Sequence, residues 1–254
     1  MRAILTYHSI DRSGSVISVD ESTFAEHVRF LASGAVRVVP LAELVDDDGP
    51  GDAVALTFDD GFANFATAAW PRLREHGLPA TVFVVAGHAG GENRWASRGD
   101  ADVPHLPLLD WAQIGALADD GVEIGSHSCS HPRLDRIGHD RLEAEIHGSA
   151  VEIGRRIGRR PTTFCYPFGN LDERVAGIAA QVYERACTTR LAYLPAEPDR
   201  ARLPRLDCYY VRRPGDLERW GTVRFRTRIA VRARLRDIRR FAEVATSARR
   251  VDAP

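Results

Sequence analysis

The first 210 residues alternate short apolar runs with amphipathic helical patterns, and this alternation constrains the fold more than any other feature. Helices are predicted over Ser22–Ser33, Phe62–His76, Trp111–Asp120 and Leu142–Ile157, each followed at once by a glycine that favours a helix end. Strands are predicted at Ala3–Tyr7, Val36–Val39, Val54–Phe58, Ala80–Val85, Val122–Gly125, Thr162–Tyr166 and Ala186–Thr189. Strand–helix alternation indicates a parallel sheet. Seven or eight such units favour a distorted (β/α) barrel, whose functional residues lie at the carboxyl ends of the strands.

Composition and charge divide the chain into two parts. With 44% hydrophobic and 27% charged residues, the chain can bury a large core, and its net charge of -1 gives no global positive field for nucleic acid. Residues 212–254 nevertheless carry 13 arginines against five acidic residues, a charge of +8, which leaves -9 for residues 1–211. We therefore predict a barrel domain over 1–210 and a basic helical extension over 211–254.

The extension has an amphipathic pattern, because Val231, Leu235, Ile238 and Ala242 share one helical face among arginines. A basic amphipathic helix can lie on an anionic membrane, and Trp220 and Phe225 would then be interfacial anchors. The same helix can instead dock on the acidic remainder of the chain. The sequence leaves both interpretations open.

Cysteine spacing and hydropathy bear on the compartment. The four cysteines, Cys129, Cys165, Cys187 and Cys208, form no C-x-x-C pair, so neither a thiolate zinc site nor a disulfide framework is indicated. The first residues contain no apolar run of signal-peptide length. We expect a cytoplasmic protein, with contact to the inner face of the membrane if the basic extension binds lipid.

Two adjacent carboxylates, Asp59 and Asp60, follow the predicted strand Val54–Phe58 and precede Gly61. Adjacent side chains leave a strand on opposite sides, so one can bind a metal while the other faces a substrate. Alone, this D-D-G segment is equally consistent with a polar strand-to-helix connection in which Asp60 caps the next helix.

Two histidines four residues apart, His127 and His131, directly follow the strand Val122–Gly125. A lone H-x-x-x-H in a polar loop is more often a pair of surface histidines. Together with a carboxylate, however, two imidazoles give a three-ligand site with open positions, which is typical of a catalytic zinc.

These two motifs together resemble those of the polysaccharide deacetylases of the NodB-homology type, carbohydrate esterase family four, over roughly residues 1–210. T-F-D-D is matched at Thr57–Asp60 and H-[ST]-x-x-H at His127–His131. The resemblance implies a NodB-like barrel in which Asp60, His127 and His131 bind a divalent metal. It implies zinc first, with cobalt or nickel as alternatives, and Asp59 as general base.

The third motif of the family departs from its usual R-x-P-[YF] form, because Cys165 stands where the arginine is expected in Phe164–Gly169. The resemblance to an F-x-Y-P-x-G branch implies that the backbone N–H of Phe168 faces the developing oxyanion. Arg205 is a candidate to orient Asp59, with a surface ion pair as the alternative. Substrate contacts are predicted at Tyr166, Pro167 and, on the long Gly87–Pro107 loop, Trp95.

The C-terminal Leu-x-His motif of the family, which supplies a general acid, has no counterpart, since no histidine follows His147. A Tyr-His pair at Tyr7–His8 instead resembles a circularly permuted branch that includes poly-N-acetylglucosamine deacetylases. By that resemblance His8 is the general acid, whereas a lone histidine at a strand end is otherwise more often structural.

The sequence therefore predicts a metal-dependent hydrolase that removes N-acetyl groups from an amino sugar in a polysaccharide, an oligosaccharide or a lipid-linked glycan precursor. One alternative is hydrolysis of another amide or an O-acetyl ester with the same metal site. Another is a glycan-binding protein without turnover, suggested by the missing arginine and C-terminal histidine.

Overall fold

The computed structural model describes residues 1–95 and 103–251, with side chains up to residue 238 in the last helix. The strands in this part of the chain are β1 (Arg2–Tyr7), β2 (Ser9–Ile10), β3 (Ser18–Val19), β4 (Arg37–Val38), β5 (Ala53–Phe58), β6 (Thr81–Val84), β7 (Glu123–Ser126), β8 (Thr163–Cys165), β9 (Arg185–Leu191) and β10 (Leu203–Asp207). The helices are α1 (Glu21–Ala32), α2 (Leu41–Asp46), α3 (Trp70–Glu75), α4 (Trp111–Asp119), α5 (His139–Ile157), α6 (Glu173–Val182) and α7 (Val223–Val251), and a π-helical segment at Phe65–Ala69 precedes α3.

Seven parallel strands close into a barrel. β5 to β10 follow one another in chain order, and β1 closes the ring by pairing with both β5 and β10. β4 pairs only with the first two residues of β5, Ala53 and Val54, while β6 pairs with its last two, so β4 lies outside the ring. The predicted (β/α) barrel is confirmed.

Alternate residues of each strand face the barrel interior and the surrounding helices. In β5, Val54, Leu56 and Phe58 belong to a core shared with α1, whereas Ala53 and Ala55 belong to an interior cluster with Phe83, Cys165 and Leu203. Burial on both faces explains why the strands appear in the sequence as short continuous apolar runs.

Helices α2 and α6 and the short strands β2 and β3 were not predicted from the sequence, and three further elements differ from the prediction. The strand predicted at Val36–Val39 is reduced to β4, and the regular part of the helix predicted over Phe62–His76 begins only at Phe65. β10 was not predicted, because Pro204 and Arg205 interrupt its apolar pattern and proline is rare inside strands. Its central residue, Arg205, is nevertheless buried.

The first turns of α7 pack on the barrel domain. Phe225 and Ile229 are buried in the main core, and Arg228 pairs with the buried Asp216 at 2.5 Å. Trp220, just before the helix, donates to Asp52 Oδ2 at 2.7 Å and packs against the same core. Trp220 and Phe225 are therefore core contacts, and the expectation that they are interfacial anchors is wrong.

Farther along α7, apolar side chains stay in solvent. Val231, Leu235 and Ile238 are 50%, 47% and 64% exposed. Ala242 lies beyond the described side chains. Within the described residues, no helix is both long and apolar enough to cross a bilayer.

Candidate active site

The carboxyl ends of the barrel strands surround one cavity. His8 follows β1, Asp59 and Asp60 follow β5, and His127 and His131 follow β7, and all five side chains line this cavity. Further wall residues that no sequence pattern singled out are Ile17, Asn93, Val103 and Thr189. Ile17, Asn93 and Val103 lie in loops, and loops have no hydrophobic periodicity from which a wall residue could be predicted.

Asp60, His127 and His131 converge on one point. Asp60 Oδ1 lies 3.4 Å from Nε2 of each histidine, and the two Nε2 atoms are 3.2 Å apart. A tetrahedral zinc ion with bonds of about 2.0–2.1 Å separates its ligand atoms by roughly 3.3–3.4 Å. The spacing and the chemistry of the three donors therefore fit a divalent metal, and all three side chains are buried.

A hydrogen bond to His127 and the charges around Asp60 prepare these two side chains as ligands. Nδ1 of His127 lies 2.7 Å from the carbonyl oxygen of Cys165, and an N–H donated there leaves the Nε2 lone pair free for a metal. Burial raises the pKa of the Asp60 carboxyl, but the facing imidazoles of His127 and His131 hold it well below its usual range. Asp60 is thus a carboxylate, the form that binds a cation.

Asp59 is held by Arg205 of β10, a strand that only β1 separates from β5 in the ring. The guanidinium donates to both carboxylate oxygens at 2.7 Å, and both side chains are almost fully buried. Burial alone raises the pKa of Asp59, but Arg205 outweighs it and lowers the pKa to about 2. The contact proposed from the sequence is present, and it is a buried bidentate pair rather than the surface ion pair considered as its alternative.

The cysteine in the third motif lies between these groups. Cys165 Sγ is 3.0 Å from a guanidinium nitrogen of Arg205 and 3.5 Å from Asp59 Oδ2. Burial, its largest cause, raises the pKa of this thiol to about 11, so the group is neutral. The small side chain leaves room for an arginine that arrives from β10 instead of β8.

His8 faces Asp59 from the cavity. Its Nε2 lies 3.7 Å from Asp59 Oδ2, and 23% of its side chain is exposed. The imidazole therefore reaches both the buried carboxylate and solvent. This placement allows a proton to be taken up and delivered, and the general-acid role stays a prediction.

The third-motif turn forms another wall. Phe168 has a left-handed backbone, with φ 59°, and its half-exposed ring lies 4.6 Å from that of His131. Tyr166 also lines the cavity, but the residue is fully buried and its hydroxyl donates to the Ala201 carbonyl at 2.9 Å. Pro167 is buried outside the cavity lining, so it shapes the turn, and the predicted substrate contact at this residue is not supported.

Trp95 lies over the metal-ligand side of the cavity. Its ring centroid is 4.8 Å from that of His131 and 5.1 Å from that of His88. Together with Phe168, it gives His131 aromatic neighbours. These rings are a surface on which the apolar face of a sugar can stack.

Comparison with known proteins gives the family of this arrangement. Residues 46–185 match the family model described as "Polysaccharide deacetylase". The putative polysaccharide deacetylase YxkH of Bacillus subtilis is 27% identical over 192 residues, which cover 73% of this chain and 63% of that protein. The poly-beta-1,6-N-acetyl-D-glucosamine N-deacetylase of Staphylococcus aureus is 31% identical over 169 residues, covering 61% of this chain and 55% of that protein.

A solved structure shows the same fold. The Streptococcus pyogenes deacetylase PplD superposes with a TM-score of 0.69 at 21% identity, covering 81% of this chain and 91% of that one. The match to the family model spans more than half of this chain and contains both the T-F-D-D and the H-[ST]-x-x-H segments. The chain therefore belongs to the polysaccharide deacetylase family.

Proposed function

We propose that this protein is a metal-dependent hydrolase that removes N-acetyl groups from an amino sugar in a glycan or a glycan precursor. One observation carries the proposal: the Asp60–His127–His131 ligand set opens into the same cavity as Asp59, a carboxylate fixed by Arg205. The printed name of the Staphylococcus aureus relative supports an N-acetylglucosamine polymer as the substrate class.

The residues divide the work of amide hydrolysis. A divalent metal held by the three ligands supplies Lewis-acid activation of water and of the acetyl carbonyl. Asp59 accepts the proton of the attacking water, since Arg205 keeps it ionised and oriented. His8 donates a proton to the sugar nitrogen, because an amine leaves slowly without one.

The developing negative charge on the acetyl oxygen needs a donor as well. The left-handed turn at Phe168 brings a backbone segment to the cavity wall beside His131. We assign the Phe168 N–H to this oxygen, since fixed backbone donors stabilise charge without reorganising.

The test is product analysis with oligomers of β-1,4- and β-1,6-linked N-acetylglucosamine and with O-acetylated sugars. Wild-type protein loaded with Zn²⁺, Co²⁺ or Ni²⁺ should release acetate and an equal amount of primary amine. His127→Ala should lose metal and activity, whereas Asp59→Asn should keep metal and lose about 10²–10⁴-fold in kcat/KM. His139→Ala, an exposed histidine on α5, is the matched control.

The other outcomes separate the alternatives. Acetate without primary amine would identify an esterase. Glycan binding without acetate release by the metal-loaded protein would identify a binding protein and contradict the proposal.

We also propose that α7 contacts an anionic membrane, which would place the protein at the inner face of that membrane if it is cytoplasmic. The support is the exposed stripe of Val231, Leu235 and Ile238 on a helix rich in arginine. Apolar side chains flanked by cations are typical of helices that lie in a lipid interface.

Sedimentation with vesicles tests this contact. Vesicles containing phosphatidylglycerol should bind the protein, salt should weaken binding, and a Val231→Ser, Leu235→Ser, Ile238→Ser triple variant should release it. Val151→Ser, at an exposed position of α5, is the control. Equal binding to neutral vesicles, or none to anionic ones, would contradict the proposal.

A further inference from the structure

The segment His127–His131 has an unusual backbone. Two of its residues that are not glycine, Ser128 and His131, have positive φ values of 67° and 57°. Such conformations are unfavourable for side chains with a Cβ and persist only where surrounding contacts determine them. Because His131 is a predicted metal ligand, whatever holds this segment also decides where its imidazole points.

One side of the segment is held by the backbone after β6. Ala86 N–H donates to the Ser128 carbonyl at 3.1 Å, and Gly87 N–H donates to the Cys129 carbonyl at 2.8 Å. A Cβ at Gly87 would lie only 2.6 Å from that carbonyl oxygen, so this close approach requires glycine.

The other side is held by one carboxylate, Glu145 of α5. Its Oε2 accepts hydrogen bonds from the backbone N–H groups of Cys129 at 2.9 Å and Ser130 at 2.8 Å, and its Oε1 accepts from the Ser130 hydroxyl. Glu145 is only 6% exposed. Loss of this side chain would leave two N–H groups without their acceptor next to a conformationally strained segment.

We propose that Glu145 is a positioning residue for the proposed metal site, and this role depends on that site being correct. It fixes the residues between the two histidine ligands, so that Nε2 of His131 faces Asp60 and Nε2 of His127. Glu145 contacts neither ligand side chain through the hydrogen bonds described, and it acts on them through the backbone. Its negative charge, shared among neutral donors, also favours a cation nearby.

The test measures zinc affinity of the metal-free protein by competition with a chromogenic chelator, which needs no substrate. Glu145→Ala should bind zinc about 10–100-fold more weakly than wild type, the range typical of lost outer-sphere partners. Glu145→Gln keeps an acceptor oxygen for the two N–H groups and should recover part of the affinity. Glu143→Ala removes an exposed carboxylate two residues away on the same helix and should bind zinc like wild type.

A second control separates positioning from general stability. Leu142 is fully buried on α5 and makes no hydrogen bond to the segment, so Leu142→Ala should lower the unfolding temperature while leaving zinc affinity unchanged. The absorption bands of the cobalt-loaded protein should change in Glu145→Ala and not in Leu142→Ala.

The outcomes distinguish this inference from the proposed function. A folded Glu145→Ala that binds zinc like wild type would overturn only the role of Glu145. Should that variant fail to fold, Glu145→Met, which fills similar space without an acceptor oxygen, takes its place, and unchanged zinc affinity in Glu145→Met would overturn the role equally. A wild-type protein that binds no divalent metal would overturn the proposed function and this inference together.

Discussion

At the residue scale, the site depends on two buried charges that neutralise each other. Asp59 and Arg205 are both nearly inaccessible, and the bidentate contact compensates for the loss of their hydration. The same contact makes Asp59 a weaker base than a free carboxylate, since its pKa falls to about 2. What Asp59 gains is full ionisation and a fixed orientation beside His8 and the cluster of Asp60, His127 and His131.

Replacing Arg205 with methionine should reverse this balance. Burial, the largest cause, then raises the pKa of Asp59 against only His8 and His127, which oppose it less than Arg205 does, so the acidic limb of the kcat/KM profile should move to higher pH. The unpaired carboxylate should also cost about 3–5 kcal/mol of stability. A pH–rate profile and urea unfolding would check both effects.

Arg205→Lys is the control for that experiment, because it keeps the positive charge while it loses the two-pronged geometry and the guanidinium hydrogen bonds to Thr188 and Thr57. The acidic limb of the kcat/KM profile of Arg205→Lys should stay close to that of the wild-type protein. An unshifted limb in Arg205→Met would show that Asp59 titration does not govern activity.

At the scale of the element, caps and glycines decide where the helices begin and end. Asp20 accepts hydrogen bonds from the N–H groups of Ser22 and Thr23 at the start of α1, and Asp110 forms a capping box with Gln113 on α4. Asp110 directly precedes the helix predicted over Trp111–Asp120, which is the place of an N-cap. These signals are local in sequence, which is why helix positions could be predicted well.

Asp20→Ala should destabilise the protein by about 1 kcal/mol at neutral pH, the usual effect of losing an N-cap. Hydrogen bonds from Ser22 and Thr23 lower the pKa of Asp20 to about 2. The pKa of an aspartate in the unfolded chain is about 3.9, so the lower pKa in the folded protein means that the ionised carboxyl of Asp20 stabilises the fold above that pH. This stabilisation is lost as the pH falls toward 2. The difference between variant and wild type in urea unfolding should therefore be smaller at pH 3 than at pH 6.

If Asp20→Ala lowers the free energy of unfolding equally at pH 3 and pH 6, the charge of Asp20 is not involved. Asp48→Ala, a substitution in the loop before β5, is a suitable control.

At the scale of the whole molecule, the segment after residue 210 belongs partly to the core. Val211, Leu217, Phe225 and Ile229 are buried with residues of β1, β5 and α1, whereas Val231, Leu235 and Ile238, later on α7, face solvent. The sequence left two interpretations of α7 open. The first turns of the helix dock on the barrel domain, and the following turns, as far as residue 238, present exposed apolar side chains among arginines.

Phe225→Ala should therefore cost about 3–5 kcal/mol of unfolding free energy, as expected for a fully buried aromatic side chain. Leu235→Ala, ten residues later on the same helix and 47% exposed, should change stability by less than about 0.5 kcal/mol. Equal effects in chemical denaturation would contradict the division of α7 into a docked and an exposed part.

Periodicity, caps and short motifs are local properties of the chain, and they were enough to predict the barrel, the ends of several helices and the site residues Asp59, Asp60, His127 and His131. The structure decided how Arg205 meets Asp59, since these residues come from β10 and β5 and only the closed ring brings them together. It also decided the hydrogen bonds of Glu145 and the burial of Phe225, because both depend on packing between distant segments. Contacts across the barrel are fixed by ring closure, and no local pattern encodes them.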